Sequence, residues 1–442
     1  MEDSVDPLPE LPLPTFDGAL GRRIIDTHIW AVRAGLRGAS AYDLFDGYCQ
    51  RLVVQGTPLW RAHTAMETLH PQWSGYGYTW RRDLNAIAPE QYTHESVEEP
   101  IWVNSPFYAL IRRAYAGEPN PSMRRRIAAS AKERDFPALE EFFELGATDY
   151  VAYVFVYGEP RGGQGDRSQG SGIIYSFTSD RTGGFADDDV TLMQATLPAL
   201  SLAMKAHAAN VIASGLLGTY LGEDAGRRVH AGAVTRGSLD QMRAVIWFAD
   251  IRGFTAISNS TPGPAVVDLL NDAFEILTQA LRGRGGQVLK FVGDGMLATF
   301  SYEEAARAET CRRALEGAIE AMRALDEMNA RRAADGRPAA LVDLALHLGD
   351  VLYGNVGATD RLDFTVIGPA INEATRIEAL CEPLDRRILL SPEFAAAVAF
   401  GGYGLVSLGR HALRGVKEPK EIFALDLGAP DEPAPSAAVK DP

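Results

Sequence analysis

Cysteine is scarce: Cys49, Cys311 and Cys381 are the only three in 442 residues, odd in number and far apart. That pattern argues against a disulfide framework and leads us to expect reduced thiols and a cytoplasmic location. Basic charge is also short, with 43 Lys and Arg against 58 Asp and Glu and a formal net charge of −15. Nucleic acid is therefore not expected as the main partner, since a phosphate backbone demands clustered Lys and Arg. No run approaches the ~20 apolar residues of a membrane span. The opening Met1-Glu2-Asp3-Ser4-Val5-Asp6 is acidic where a signal peptide would be basic and then apolar. No phosphate-cradling P-loop is present, which excludes a Walker-type ATPase. The run Gly162-Gly163-Gln164-Gly165 has no helix behind it to make a dinucleotide fingerprint. No internal repeat is visible.

What is present is ample apolar material, 46% of residues, in a chain long enough for two or three domains. Residues 1–20 and 428–442 are Pro-rich and read as tails without fixed structure. Between them, 21–205 has mixed α/β character, with helices expected at Ala41–Val54, Ser122–Ala131 and Pro137–Leu145. Strands are expected at Tyr150–Tyr157 and Gly172–Thr178. A long helix follows from Asp189 to about Leu217. Its Met193, Leu197, Leu200, Met204, His207 and Val211 are spaced as an a/d heptad seam, interrupted by Pro198. His207 is expected as a tolerated seam histidine rather than a pH-sensitive element. Residues 206–242 are expected as a helical linker, broken by Gly222, Gly226 and Gly232.

The chemistry concentrates in 243–427. Val245-Ile246-Trp247-Phe248-Ala249-Asp250 is an apolar run ending in a carboxylate, the pattern of a buried strand whose last residue meets solvent or ligand. Further on, two apolar runs flank Asp294-Gly295, a strong hairpin signal. Helices are expected at Gly263–Arg282 and Glu303–Asp335, and strands at Val342–Leu348, Leu352–Val356 and Leu362–Ile367. Strand, helix, hairpin, helix, strand is the split βαβ order, so the fold class is α+β with a ferredoxin-like C-terminal domain. If the first strand and the hairpin are neighbours, two carboxylates converge at one sheet edge. Hard divalent cations such as Mg²⁺ take such oxygen ligands together with substrate phosphates. Lys290 lies four residues before Asp294, a spacing that on an extended strand puts both on one face. Asn372 and Arg376 are four apart on an expected helix, Ala370–Leu380, and share a face.

At these residues the chain resembles the class III nucleotide cyclases, from about Arg243 to Leu427. The resemblance implies a ferredoxin-like catalytic core and two metal ions, Mg²⁺ or Mn²⁺, per active site, held by Asp250 and Asp294 with Ile251 beside them. It implies that Lys290 donates to N1 of adenine, where a guanylate cyclase has glutamate. By the same resemblance Thr365, where many adenylate cyclases have aspartate, accepts from the adenine amino group. Thr is the variant of a class IIIb-like subgroup. Asn372 would orient the ribose and Arg376 would stabilise charge on the α-phosphate. Lys417 is a candidate triphosphate contact, since Asp343 stands where some members carry arginine; His347 and His411 are expected to be structural. The implied partners are ATP and a second copy of the chain, in a homodimer with composite active sites. Guanylate or dual-specificity cyclase activity, or a silent nucleotide-sensing domain, are the alternatives. The N-terminal order of strand, loop, strand and long helix looks like the second half of a GAF-type sensor domain, with an unknown small-molecule or other ligand.

Overall fold

The computed structural model describes residues 18–84, 86–95, 99–157 and 171–425. The expected tails fall outside them, except that Gly18–Leu20 already belong to the first helix, and the glycine-rich run 162–165 lies outside them too. The chain divides into two compact units, Met1–Leu216 and Leu217–Pro442.

The first unit runs α1 (Gly18–Leu36), α2 (Ala41–Val54), β1 (Arg61–Glu67), β2 (Trp73–Arg81), β3 (Ala86–Thr93), α3 (Pro100–Val103) and α4 (Pro106–Tyr115). It continues with β4 (Ser122–Arg125), α5 (Pro137–Glu144), β5 (Asp149–Tyr157), β6 (Ser171–Ser179) and α6 (Asp187–Leu221), which runs on past the boundary. Six antiparallel strands lie in the order β3-β2-β1-β6-β5-β4. Along β5, Val151, Tyr153 and Phe155 pack toward α1, α2 and α6, whereas Tyr150, Ala152 and Val154 pack toward α4 and α5. Helices cover both faces, which is why β5 is apolar without alternation. The helix expected over Ser122–Ala131 is instead the edge strand β4 and a short turn. Pairing along β5 and the bonds from Arg124 to buried Asp149 and the Phe185 carbonyl outweigh helix propensity there.

Three expectations about α6 change. Met193, Leu197, Leu200 and Met204 are fully buried in the core of their own unit, so this part of the heptad seam is unavailable for pairing with another helix. Pro198, expected to kink or restart the helix, lies inside one continuous helix and does not restart it. By length and composition, α6 is also apolar enough to cross a membrane, in contrast to the expectation from residue runs, though its residues up to Ala208 supply much of this core.

The second unit comprises α7 (Glu223–His230), β7 (Leu239–Ile251), α8 (Phe254–Ser260), α9 (Gly263–Arg282), β8 (Gln287–Val292), β9 (Gly295–Ser301), α10 (Arg307–Ala334) and β10 (Val342–Gly357). After them come β11 (Leu362–Ile367), α11 (Pro369–Glu378), β12 (Ile388–Leu390), α12 (Pro392–Val398), β13 (Leu405–His411) and β14 (Lys420–Leu425). The two strands expected at 342–348 and 352–356 are one long strand, β10, because β7 pairs along its length. The sheet order is β13-β14-β12-β10-β7-β9-β8, with β11 also pairing β10. Its central β10-β7-β9-β8, joined through α9 and α10, is the ferredoxin-like arrangement. Strand alternation sorts the two faces. Val245, Trp247, Ala249 and Ile251 pack on α9 and α10, whereas Ala244, Ile246 and Phe248 face the α11 side. Asp250 is in phase with the second set. Part of the expected linker belongs to this unit, for Ala225 of α7 is buried with Tyr353, Phe364 and Leu297.

Candidate active site

The tip of the β8–β9 hairpin meets the end of β7. Val292 pairs with Gly295, leaving Gly293 and Asp294 as the two-residue turn. The positive φ falls on Gly293, at 63°, one step earlier than the Asp-Gly signal suggested. Gly295 serves a different need: a Cβ there would stand 3.2 Å from Asp250 Oδ1 and 3.2 Å from the Ala249 carbonyl, so its bare backbone admits the close approach. The turn brings the Asp294 carboxyl within hydrogen-bonding reach of Asp250. The strand alternation assumed between Lys290 and Asp294 does not carry through, because the turn and a register shift between Val288 and Lys290 intervene.

Asp250 is half-buried, and its carboxyl is pushed up to about 6. Burial is the largest cause, followed by the charge and hydrogen bond of Asp294; the Ile251 N–H, donating to Asp250 Oδ1 at 3.1 Å, opposes them. The Ile251 side chain is buried in the core, so only its backbone is free to serve a ligand.

Three further residues belong to this cluster. Asp343 is the cross-strand partner of Asp250, and its buried carboxylate takes two hydrogen bonds from Arg252, at 2.9 and 2.7 Å. Glu378, from α11, is pushed up to about 8, by burial first and then by Asp250, Asp343 and Asp294, with Arg252 opposing. Sequence reasoning missed Glu378; its signal was an acidic residue two positions after Arg376. Among the described residues, no group of three or more His, Cys, Asp and Glu side chains is placed to hold a metal ion. The protein offers two adjoining carboxylates, which suits a hard cation that takes its remaining oxygens from substrate and water.

A second group lies around β8, β11 and α11. Lys290 Nζ donates to Asp363 Oδ2 at 2.9 Å. Asp363 and Thr365 are alternate residues of β11 and share its face. The Thr365 hydroxyl is buried and has no partner. Asn372 is exposed, and Arg376 is half-buried with its guanidinium beside Gly415. Lys417 is exposed in the connection between β13 and β14, lining an open cleft with Arg410, Glu393 and Lys420. His347 is buried, and His411 Nε2 donates to the Leu408 carbonyl of its own turn at 3.0 Å.

Helix α11 carries residues of both groups. At 3.6 residues per turn, Glu378 lies about 200° round α11 from Arg376 and about 240° from Asn372. Glu378 feels the charges of Asp250, Asp343 and Asp294, and Asn372 and Arg376 project from other sides of the helix.

The C-terminal unit thus combines a split βαβ core with a carboxylate pair where its hairpin tip meets the end of β7. Residues 239–426 match the family model of the adenylate and guanylate cyclase catalytic domain. An adenylate cyclase of Anabaena cylindrica is 35% identical over 159 residues, 35% of this chain and 30% of that protein. An uncharacterized protein of Mycobacterium tuberculosis is 33% identical over 205 residues, 46% of this chain and 36% of that protein. The chain thus spans about a third of the length of these curated relatives. The solved adenylyl cyclase CyaB from P. aeruginosa is 24% identical, with a TM-score of 0.39 over 44% of this chain and 100% of that one.

Proposed function

We propose that this chain is an adenylate cyclase, converting ATP to 3′,5′-cyclic AMP and pyrophosphate. The observation that carries the choice of purine is the pairing of a donor, Lys290, with the β11 strand on which Thr365 keeps a buried, unpartnered hydroxyl. A buried hydroxyl without a partner is costly. Adenine would fill that need, its amino group donating to Thr365 while Lys290 donates to N1. The ammonium has three donors, so it can keep Asp363 while doing so.

Asp250 and Asp294 would hold the divalent ions, Mg²⁺ or Mn²⁺. Bound there, the ions would acidify the ribose 3′-hydroxyl and neutralise charge on the departing pyrophosphate. The 3′-oxygen attacks the α-phosphorus, the bond from it to the bridging oxygen of the β-phosphate breaks, and the hydroxyl proton passes to solvent. Asn372 would hold the ribose in line, Arg376 would bind the α-phosphate as its charge grows, and Lys417 would contact the triphosphate.

The opposed faces of α11 support a homodimer in which each site takes its carboxylates from one copy and its base and ribose contacts from the other. A two-fold axis would make two equivalent sites. We assign the N-terminal unit a regulatory, GAF-like role in a cytoplasmic enzyme, its ligand open. A hydroxyl donates as well as accepts, so Thr365 makes GTP the second reading. Chromatographic identification of the product after incubation with ATP or GTP and Mg²⁺ or Mn²⁺ tests both. Formation of cyclic AMP from ATP supports the assignment; no cyclic nucleotide from either would overturn it.

A further inference from the structure

Helix α11 is gripped from outside its own strand pairings. Glu373 Oε2 accepts from Lys420 Nζ at 2.6 Å, and the same ammonium reaches Glu393 Oε1 at 3.1 Å. Beneath them lies His347, 3% exposed, with Nε2 3.5 Å from Glu373 Oε2 and Nδ1 3.9 Å from Glu393 Oε2. Four elements meet in this network: β10, α11, the first turn of α12 and the start of β14. The Glu373 and Lys420 side chains are 19% and 23% exposed, so the pair is largely withdrawn from water. One turn further along α11, the β13–β14 connection touches the helix again. An ideal Cβ on Gly415 would lie 3.6 Å from both terminal nitrogens of Arg376.

Glu373 is the neighbour of Asn372 and lies three residues before Arg376. A contact that fixes Glu373 therefore fixes the rotation and height of the helix turn that presents both. We propose that Glu373 and Lys420 are positioning residues, whose ion pair sets Asn372 and Arg376 at the catalytic geometry while Gly415 gives the guanidinium its seat. The proposal rests on the reading of Asn372 and Arg376 as substrate contacts. Bulk stability is a poor reason for such a pair, because buried ion pairs often do little better than apolar residues of similar volume. Geometry is a better one: a misplacement of about 1 Å in a catalytic group costs on the order of 100-fold in rate.

The test is steady-state kinetics of the full chain with ATP and Mn²⁺, comparing the parent with K420M, E373Q and K420R and following each by thermal melting. E373Q keeps the side-chain shape, and so covers the case in which K420M fails to fold. We expect kcat to fall about 10- to 100-fold in K420M and E373Q with KM within about threefold of the parent, and K420R to recover most of the loss. Folded variants with parental kcat, losses confined to KM, or a K420R as impaired as K420M would overturn the proposal. Failure of both neutral variants to fold would make the pair structural and overturn it equally. A parent that makes no cyclic nucleotide would instead overturn the cyclase reading itself, and the positioning role with it.

Discussion

Lys290 and Asp363 are joined across β8 and β11 by a 2.9 Å hydrogen bond, and the residue two further along β11 is Thr365. The donor proposed to read the purine is therefore already held beside its partner in the free protein. Replacing both readers, as K290E with T365C, puts an acceptor where the donor stood. We expect kcat/KM for ATP to fall at least tenfold and use of GTP to rise relative to it, the few kcal/mol that a buried polar mismatch supplies. Competition kinetics with both nucleotides measure this, and an undiminished ATP preference would remove these residues from base recognition.

The carboxylate pair allows a simpler test. Asp250→Ala or Asp294→Ala should each reduce turnover by about three orders of magnitude or more, since several kcal/mol of charge stabilisation is lost. The fold should survive, as both residues stand at the end of a strand or in a turn. Circular dichroism and cyclic AMP assays together check this, and near-parental activity in either variant would sink the two-carboxylate metal site.

Protonation should link this cluster to stability. Asp250 is raised from 3.8 to about 6, and Glu378 from 4.5 to about 8. Both bind their protons more tightly when folded than when unfolded. The metal-free fold therefore loses stability as pH rises, beginning near the unfolded values and continuing through about 8. Melting without metal should show a lower midpoint at pH about 8 than at about 5.5. Added Mn²⁺ should restore more at the higher pH, where it has no proton to displace from Asp250. E378Q should flatten the slope above about pH 6, and an unaltered slope would mean that Glu378 does not carry it.

Much of the second unit was legible because its elements obey local rules. Gly263–Arg282 is amphipathic with a glycine-rich end, and Leu362–Ile367 is a short β-prone run, so both follow from local sequence. What was not legible depended on partners distant in sequence. Ser122–Arg125 looks helical until β5 offers it an edge. The a/d spacing of Met193 to Met204 suits a coiled coil and a sheet-covering helix alike, and only the tertiary core distinguishes them. At the site, Asp250 and Asp294 were marked by position at the ends of apolar runs. Glu378, Asp343 and Arg252 carried no such mark, since Asp343 and Arg252 meet only through the pairing of β7 with β10 and Glu378 joins them from α11.

The boundary between units shapes the truncation that tests regulation. A cut after residue 235 would strip α7, and with it Ala225 from its place against Tyr353 and Phe364, as well as the Ala233 carbonyl that accepts from Asn355 Nδ2 at 2.7 Å. A cut after Leu216 leaves these in place. Deleting residues 1–216 should change specific activity severalfold and abolish any effector response, with a higher melting midpoint than the longer deletion. Parental kinetics in the shorter deletion would reduce the N-terminal unit to a passive module.

Assembly is tested by complementation. Glu378 faces the Asp250 cluster, and Asn372 and Arg376 lie on the other side of the same helix, so one chain should be unable to fill one site alone. Asp250→Ala and Asn372→Ala should each be nearly inactive, because every site of either homodimer lacks one group. In the mixed dimer the two defects fall together in one site and leave the other intact. Activity per dimer should therefore return to at most half the parental level, and only in the heterodimer fraction. The measurement is cyclic AMP formation against mixing ratio, with subunit exchange followed independently by differently tagged chains. If tagged chains exchange and activity stays at the level of the single variants, both groups serve one site within one chain, and the composite dimer is wrong.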